Sequence, residues 1–186
     1  MSWIEEIEVT EAEGKLAEVY ADLLKKRGKV ANILQVHSLN PNAMASHLDL
    51  YMSIMFGKSG LSRGEREAIA VVVSATNDCK YCVNHHVEAL RRYIKDDDVL
   101  QTLVSAAGLE MLEPRLSKIV VHAEKLTSAP SAMTESDVDS LRAEKLTDQD
   151  ILDITLVVAY FNFVNRIALG LGVSYTAEEL AGYHND

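Results

Sequence analysis

The sequence predicts an all-α protein, and three observations carry that prediction. A helix-start signature, Ser or Thr followed three residues later by an acid, recurs at Thr10 and Glu13, Ser62 and Glu65, Thr134 and Asp137, Thr147 and Asp150, and Thr176 and Glu179. Between those starts apolar residues fall at helical spacing, as in Leu16, Val19, Tyr20, Leu23 and Leu24. Alternating, strand-like stretches are nearly absent.

The first helix is expected over 10–27, opening at Thr10 and stopping at Gly28, a residue suited to a left-handed cap. A short helix over 30–38 ends before Asn40-Pro41, and a third over 42–57 stops at the turn between Gly57 and Gly60. Ser62 with Glu65 opens a helix over 62–76, closed by Asn77-Asp78, and either of those two residues can cap the next one, over 79–94. Gly108 bounds a helix over 97–107, and Pro114 starts one over 114–127. The connection Thr127-Ser-Ala-Pro-Ser-Ala-Met leads to helices over 134–144, 147–171 and 176–182.

With 186 residues, 48% of them hydrophobic and 25% charged, the chain suits one domain over 1–186 with a sizeable core. Its formal net charge of -10, with no block of Lys or Arg, is a poor footprint for phosphate contacts, so no nucleic-acid partner is expected. The longest uninterrupted apolar run, Ala68 to Val73, is far short of the roughly 20 residues of a spanning helix, so no membrane association is expected. Met1-Ser-Trp-Ile-Glu-Glu has neither a basic flank nor an apolar signal core, which makes a cytoplasmic protein the expectation. Residues 62–77 and 147–162 are similar at an offset of 85, with Ile69, Val72, Val73 and Asn77 meeting Ile154, Val157, Val158 and Asn162. If this is a duplication, the second copy, 147–173, carries Val164, Ile167 and Leu171 where the first has Cys79, Cys82 and His86, and so has no redox chemistry.

The chemistry lies in 62–90. Cys79 and Cys82 are the two cysteines of the chain, and joined as a disulfide they would close too small a loop to act as a staple. Reactivity is the better reason for such a pair. On a helix Cys79, Cys82 and His86 fall within an arc of about 60°. His86 is one turn beyond Cys82, near enough to exchange a proton with it, and His85 is turned away. Helix-start N–H groups favour Cys79 as the low-pKa thiol, whereas proximity to His86 favours Cys82, and the sequence leaves both open.

Glu67, then Cys79-Lys-Tyr-Cys82, then His86 form a composite pattern that resembles the AhpD-like alkylhydroperoxidases of the carboxymuconolactone decarboxylase superfamily. Asn32-Ile-Leu-Gln-Val-His-Ser-Leu-Asn-Pro and Phe161-Asn-Phe-Val-Asn-Arg-Ile-Ala-Leu-Gly-Leu-Gly are similar to its uncharacterised peroxidase-related subgroup, so the resemblance covers most of the chain. It implies an AhpD-like helical bundle, possessing or lacking the internal duplication, with Cys82 attacking the peroxide, Cys79 resolving the sulfenic acid, and Glu67 with His86 relaying protons. It also implies a cofactor-independent, metal-free peroxidase acting on organic hydroperoxides or hydrogen peroxide, re-reduced by a thiol donor such as a lipoyl-carrying adaptor protein. Homo-oligomers (dimers, trimers or hexamers) are implied as well. The best-known AhpD enzymes have a histidine where this chain has Tyr81, whose phenol is a poor base at neutral pH. That departure implies weaker turnover or another substrate, and makes Tyr81 a candidate substrate-binding residue.

Other readings stand beside this one. Cys79, Cys82 and His86 are three potential zinc ligands, and a closed site would need a fourth. A decarboxylase working by acid–base chemistry on a lactone carboxylic acid is an enzymatic alternative, and a sensor switched by a Cys79–Cys82 disulfide a non-enzymatic one. Glu67 on its own would read as a first-turn acid. His37, His47, His122 and His184 read as capping, packing or exposed histidines. Met44, Met52 and Met55, with Leu48, Tyr51 and Phe56, read as core or subunit interface.

Overall fold

A computed structural model describes residues 2–176 and 179, and among these it contains helices and no strand. The α-helices are α1 (Gly14–Arg27), α2 (Asn32–Gln35), α3 (Pro41–Phe56), α4 (Arg63–Thr76), α5 (Lys80–Leu90), α6 (Asp97–Ser105), α7 (Pro114–Ser128), α8 (Glu135–Ala143) and α9 (Asp148–Leu171). The chain groups into two compact units, residues 54–165 and residues up to 53 together with those from 166 onward.

Three starts behave as their signatures require. Glu65 N–H donates to Ser62 Oγ at 3.2 Å, and Ser62 N–H donates back to Glu65 Oε2 at 2.7 Å, a reciprocal cap that fixes the first turn of α4. Thr134 with Asp137 and Thr147 with Asp150 do the same for α8 and α9. Ser62→Ala should therefore cost about 1 kcal/mol, read as a lower urea midpoint; an unmoved midpoint would mean that packing alone holds α4.

The start expected at Thr10 is wrong. Residues 9–11 form a 3-10 turn, and α1 begins at Gly14, whose φ of +53° no continuous helix from Thr10 could contain. The helix expected over 30–38 shortens to α2, because the chain beyond it tightens into i→i−3 bonds such as Ser38 N–H to Gln35 O. The fifth helix stops at Leu90, where Tyr93 N–H turns back to Leu90 O. The helix expected over 176–182, like His184, lies outside the described residues apart from Thr176 and Glu179, which make the expected N–H to Oγ1 contact at 3.3 Å.

In the unit of residues 54–165, α4 is the hub on which α5, α6 and α7 pack. Ala68, Val71 and Val72 of α4 meet Leu90, Leu100, Leu103, Leu109 and Val120 in one buried cluster. Every residue from Arg66 to Ser74 is buried, so Glu67 is carried inside with the apolar run. In the other unit Leu16, Val19, Tyr20 and Leu23 of α1 pack with Leu34, Met44 and Leu48. Met44 is fully buried there and Met52 packs half-buried against it. The methionine face is thus core, and it lends no support to self-association.

By length and composition α9 is apolar enough to cross a membrane. A core helix passes the same test, and α9 buries Ile154, Val157, Val158 and Phe161 in protein. It also buries an asparagine, Asn165, which bears on the site below.

Candidate functional site

The link between α4 and α5 is three residues long. Asn77 ends α4, Asp78 takes the left-handed conformation at φ +53°, and Cys79 is itself the N-cap of α5. Asp tolerates that backbone region better than most side chains. Cys79 N–H then donates to Ser74 O at 2.8 Å, which draws the first cysteine back against the end of α4. Neither Asp78 nor Asn77 caps α5, contrary to expectation. The Asn77 amide instead donates to Asn162 Oδ1 at 3.1 Å and Asn165 Oδ1 at 3.0 Å.

Both cysteines are free and buried, at 1% and 2% exposure. A hydrogen bond from the Cys82 thiol, opposed by burial and helped by Asn165, draws the Cys79 thiol down to about 7. Giving that hydrogen bond, together with burial, pushes Cys82 well above the usual thiol range. Cys79 is thus the more readily ionised thiol of the pair, at the helix start where negative charge is best tolerated. Asn165 Nδ2 also donates to Ser74 Oγ at 3.1 Å, so a fully buried polar strut joins α9 to the end of α4 beside the sulfurs.

Glu67 and His86 come together as well. His86 Nδ1 donates to Glu67 Oε2 at 2.6 Å, and Phe161 meets the imidazole edge-on with ring centroids 4.5 Å apart. The pairing fixes the Nδ1–H tautomer and leaves Nε2 as the basic nitrogen. Burial pushes the Glu67 carboxyl up, yet His86 and Arg63 together hold it below the usual glutamate range. Arg63 Nε donates to Glu67 Oε1 at 2.8 Å, with a second bond from Nη2 to the same oxygen.

Tyr81 is buried, with its ring stacked on His85 at 4.2 Å between centroids. The histidines read singly from the sequence include a pair: His47 Nδ1 lies 3.4 Å from His37 Nε2, and His37 Nδ1 donates to Ile33 O at 3.0 Å. His122 is buried on α7. Among the described residues no three His, Cys, Asp or Glu side chains converge as a metal-ligand set. Sequence reasoning missed Arg63, Ser74 and the asparagines as parts of the site. The available signal was polar residues, Asn162 and Asn165, interrupting the apolar face of a long helix.

Residues 41–110 match the model of the carboxymuconolactone decarboxylase family. The crystal structure of an uncharacterized peroxidase-related protein from Silicibacter sp. TM1040 is 30% identical, over 96% of this chain and 94% of that one, with a TM-score of 0.83. An uncharacterized peroxidase-related protein with an alkylhydroperoxidase AhpD core, from Ralstonia eutropha JMP134, is 28% identical over the same shares, with a TM-score of 0.84. The debrominase Bmp8 superposes at a TM-score of 0.75 over 95% of this chain and 96% of its own, but at 17% identity that likeness bears on fold alone.

Proposed function

Because the chain belongs to the AhpD-like branch of the carboxymuconolactone decarboxylase superfamily, we propose that its buried dithiol reduces hydroperoxides to alcohols, or hydrogen peroxide to water. The observation that carries the reading is a pair of free, buried thiols whose second member, Cys82, lies one helical turn before His86, itself anchored on Glu67. A thiol that shares its proton with a second thiol is both primed to ionise and placed to be resolved.

In the proposed cycle Cys82 gives its proton to His86 Nε2 and attacks the peroxide as thiolate. An S–O bond forms, the O–O bond breaks, and the departing alkoxide takes that proton back from His86. Cys79 then attacks the sulfur of the Cys82 sulfenic acid; an S–S bond forms and the hydroxyl leaves as water with the proton of the Cys79 thiol. Two thiols and one hydroperoxide thus give a disulfide, an alcohol and water, and an external thiol reductant returns the two electrons. No cofactor is needed for this balance.

The test is a rapid titration of thiols after mixing fully reduced protein with one equivalent of an organic hydroperoxide. Both thiols should disappear together, much faster than those of free cysteine under the same conditions. Oxidation no faster than free cysteine would end the peroxidase reading. A second reading, a disulfide sensor, is favoured by the near-complete burial of both sulfurs. Fast oxidation that never turns over with any dithiol supplied would select it.

A further inference from the structure

We infer that Arg63 is a positioning residue that holds Glu67 as a carboxylate fixed against His86 Nδ1–H. The inference rests on the peroxidase reading for its kinetic consequence, though not for its direct test.

The geometry is that of a clamp. Glu67 is fully buried on α4, where an unpartnered carboxyl would take up a proton. Arg63, one turn earlier on the same helix, places two N–H groups on Oε1, while Oε2 is left for His86. The guanidinium is fixed in turn: Nη1 donates to Met55 O at 3.0 Å, and the Phe56 ring lies under it at 3.7 Å from the centroid. All three guanidinium nitrogens of Arg63 thus donate, two to the carboxylate and one to the Met55 carbonyl, a fork that a flexible point charge could not reproduce.

The other charged groups around the pair do not replace it. Arg66, also on α4, faces Glu67, Asp153 of α9 and Tyr93, but its Nη1 is committed to the carbonyls of Ile54 and Gly57. From α5 the group facing Glu67 is His86 itself. A carboxylate held charged by Arg63 cannot serve as a proton donor. Its work is to orient His86 through Nδ1–H and to leave Nε2 to move the proton.

Removing the Arg63 charge makes a proton on the Glu67–His86 pair more favourable, so the pair should hold that proton to higher pH. In Arg63→Gln the acid limb of thiol oxidation by an organic hydroperoxide should move up by about one pH unit, which makes oxidation near neutrality about tenfold slower while the alkaline plateau survives. Arg63→Lys, which keeps the charge but not the fork, should shift the same way by less. The direct readout is the imidazole titration of His86 by NMR in reduced protein, assigned by its loss in His86→Gln. That titration should move up in Arg63→Gln whether or not peroxide reacts. An unmoved titration, or slowing by the same factor at every pH, would overturn the inference. If Arg63→Gln fails to fold, the Lys variant decides: a smaller upward shift supports the clamp and none refutes it. Wild-type protein inert to peroxide would sink the peroxidase reading and leave the titration to judge Arg63.

Discussion

Cys82→Ser is expected to abolish peroxide-dependent oxidation of the remaining thiol, reducing it to the rate of an unactivated cysteine, whereas Cys79→Ser should still react and stop at a sulfenic acid. A serine hydroxyl ionises far too weakly to attack a peroxide, so loss of the attacking sulfur is all-or-none. Loss of the resolving sulfur acts differently. The hydrogen bond to Cys79 and burial push Cys82 up, and removing the Cys79 thiol should ease ionisation of Cys82 while leaving no partner to close the disulfide. Dimedone capture of one sulfenic acid per chain in Cys79→Ser, and none in Cys82→Ser, is the expected pattern. The reverse pattern would assign attack to Cys79, in keeping with its lowered pKa and against the family resemblance. Turnover of a lactone carboxylic acid by the double variant would instead revive acid–base decarboxylation.

The fold was legible because its signals are local. Ser62 with Glu65, Thr134 with Asp137 and Thr147 with Asp150 each bond across three residues, and a contact that short is written in the chain itself. Thr10 misled because the same signature was overridden four residues later by Gly14, whose left-handed backbone no capping pattern reveals. The site was legible by half for the same reason. Cys79, Cys82 and His86 share one helix, so their spacing announces their common face. Glu67, nineteen residues before His86, was readable only through the family pattern, since nothing in its own neighbourhood separates a buried carboxylate from an ordinary first-turn acid.

What stayed hidden arrives from far along the chain. Asn165 reaches Ser74 across ninety-one positions, and Asn77 reaches Asn162 across eighty-five. Asn77 and Asn162 are also the positions that the internal similarity aligns, so the end of α4 and the matching position within α9 meet through one amide contact. Amides out of water are costly unless satisfied, and fully buried Asn165 and half-buried Asn77 and Asn162 are each donor or acceptor to another group. That mutual satisfaction lets a polar strut stand beside two thiols in an otherwise apolar interior.

Acidification should destabilise the protein well before its carboxylates protonate, because of the His37–His47 pair. Burial, with the nearby His37 adding to it, pushes His47 down to about 3, and burial also lowers His37. An unfolded histidine titrates near 6.5, so between about 6.5 and about 3 the unfolded chain binds a proton at His47 that the folded chain refuses. Stability is therefore fully present above the unfolded value and drains away as pH falls through that window. For His47 alone the loss between about pH 7 and about pH 5 amounts to about 2 kcal/mol. The geometry agrees for His37: its Nδ1–H is given to Ile33 O, so its Nε2 must accept from His47, and a second proton on His37 would set two N–H groups against each other at 3.4 Å. His47→Gln should be less stable than wild type near neutrality yet lose much less on acidification, read from urea midpoints at the two pH values. Parallel losses in the two proteins would mean that the histidine pair takes up its protons without cost to the fold, and the acid sensitivity would have to come from elsewhere.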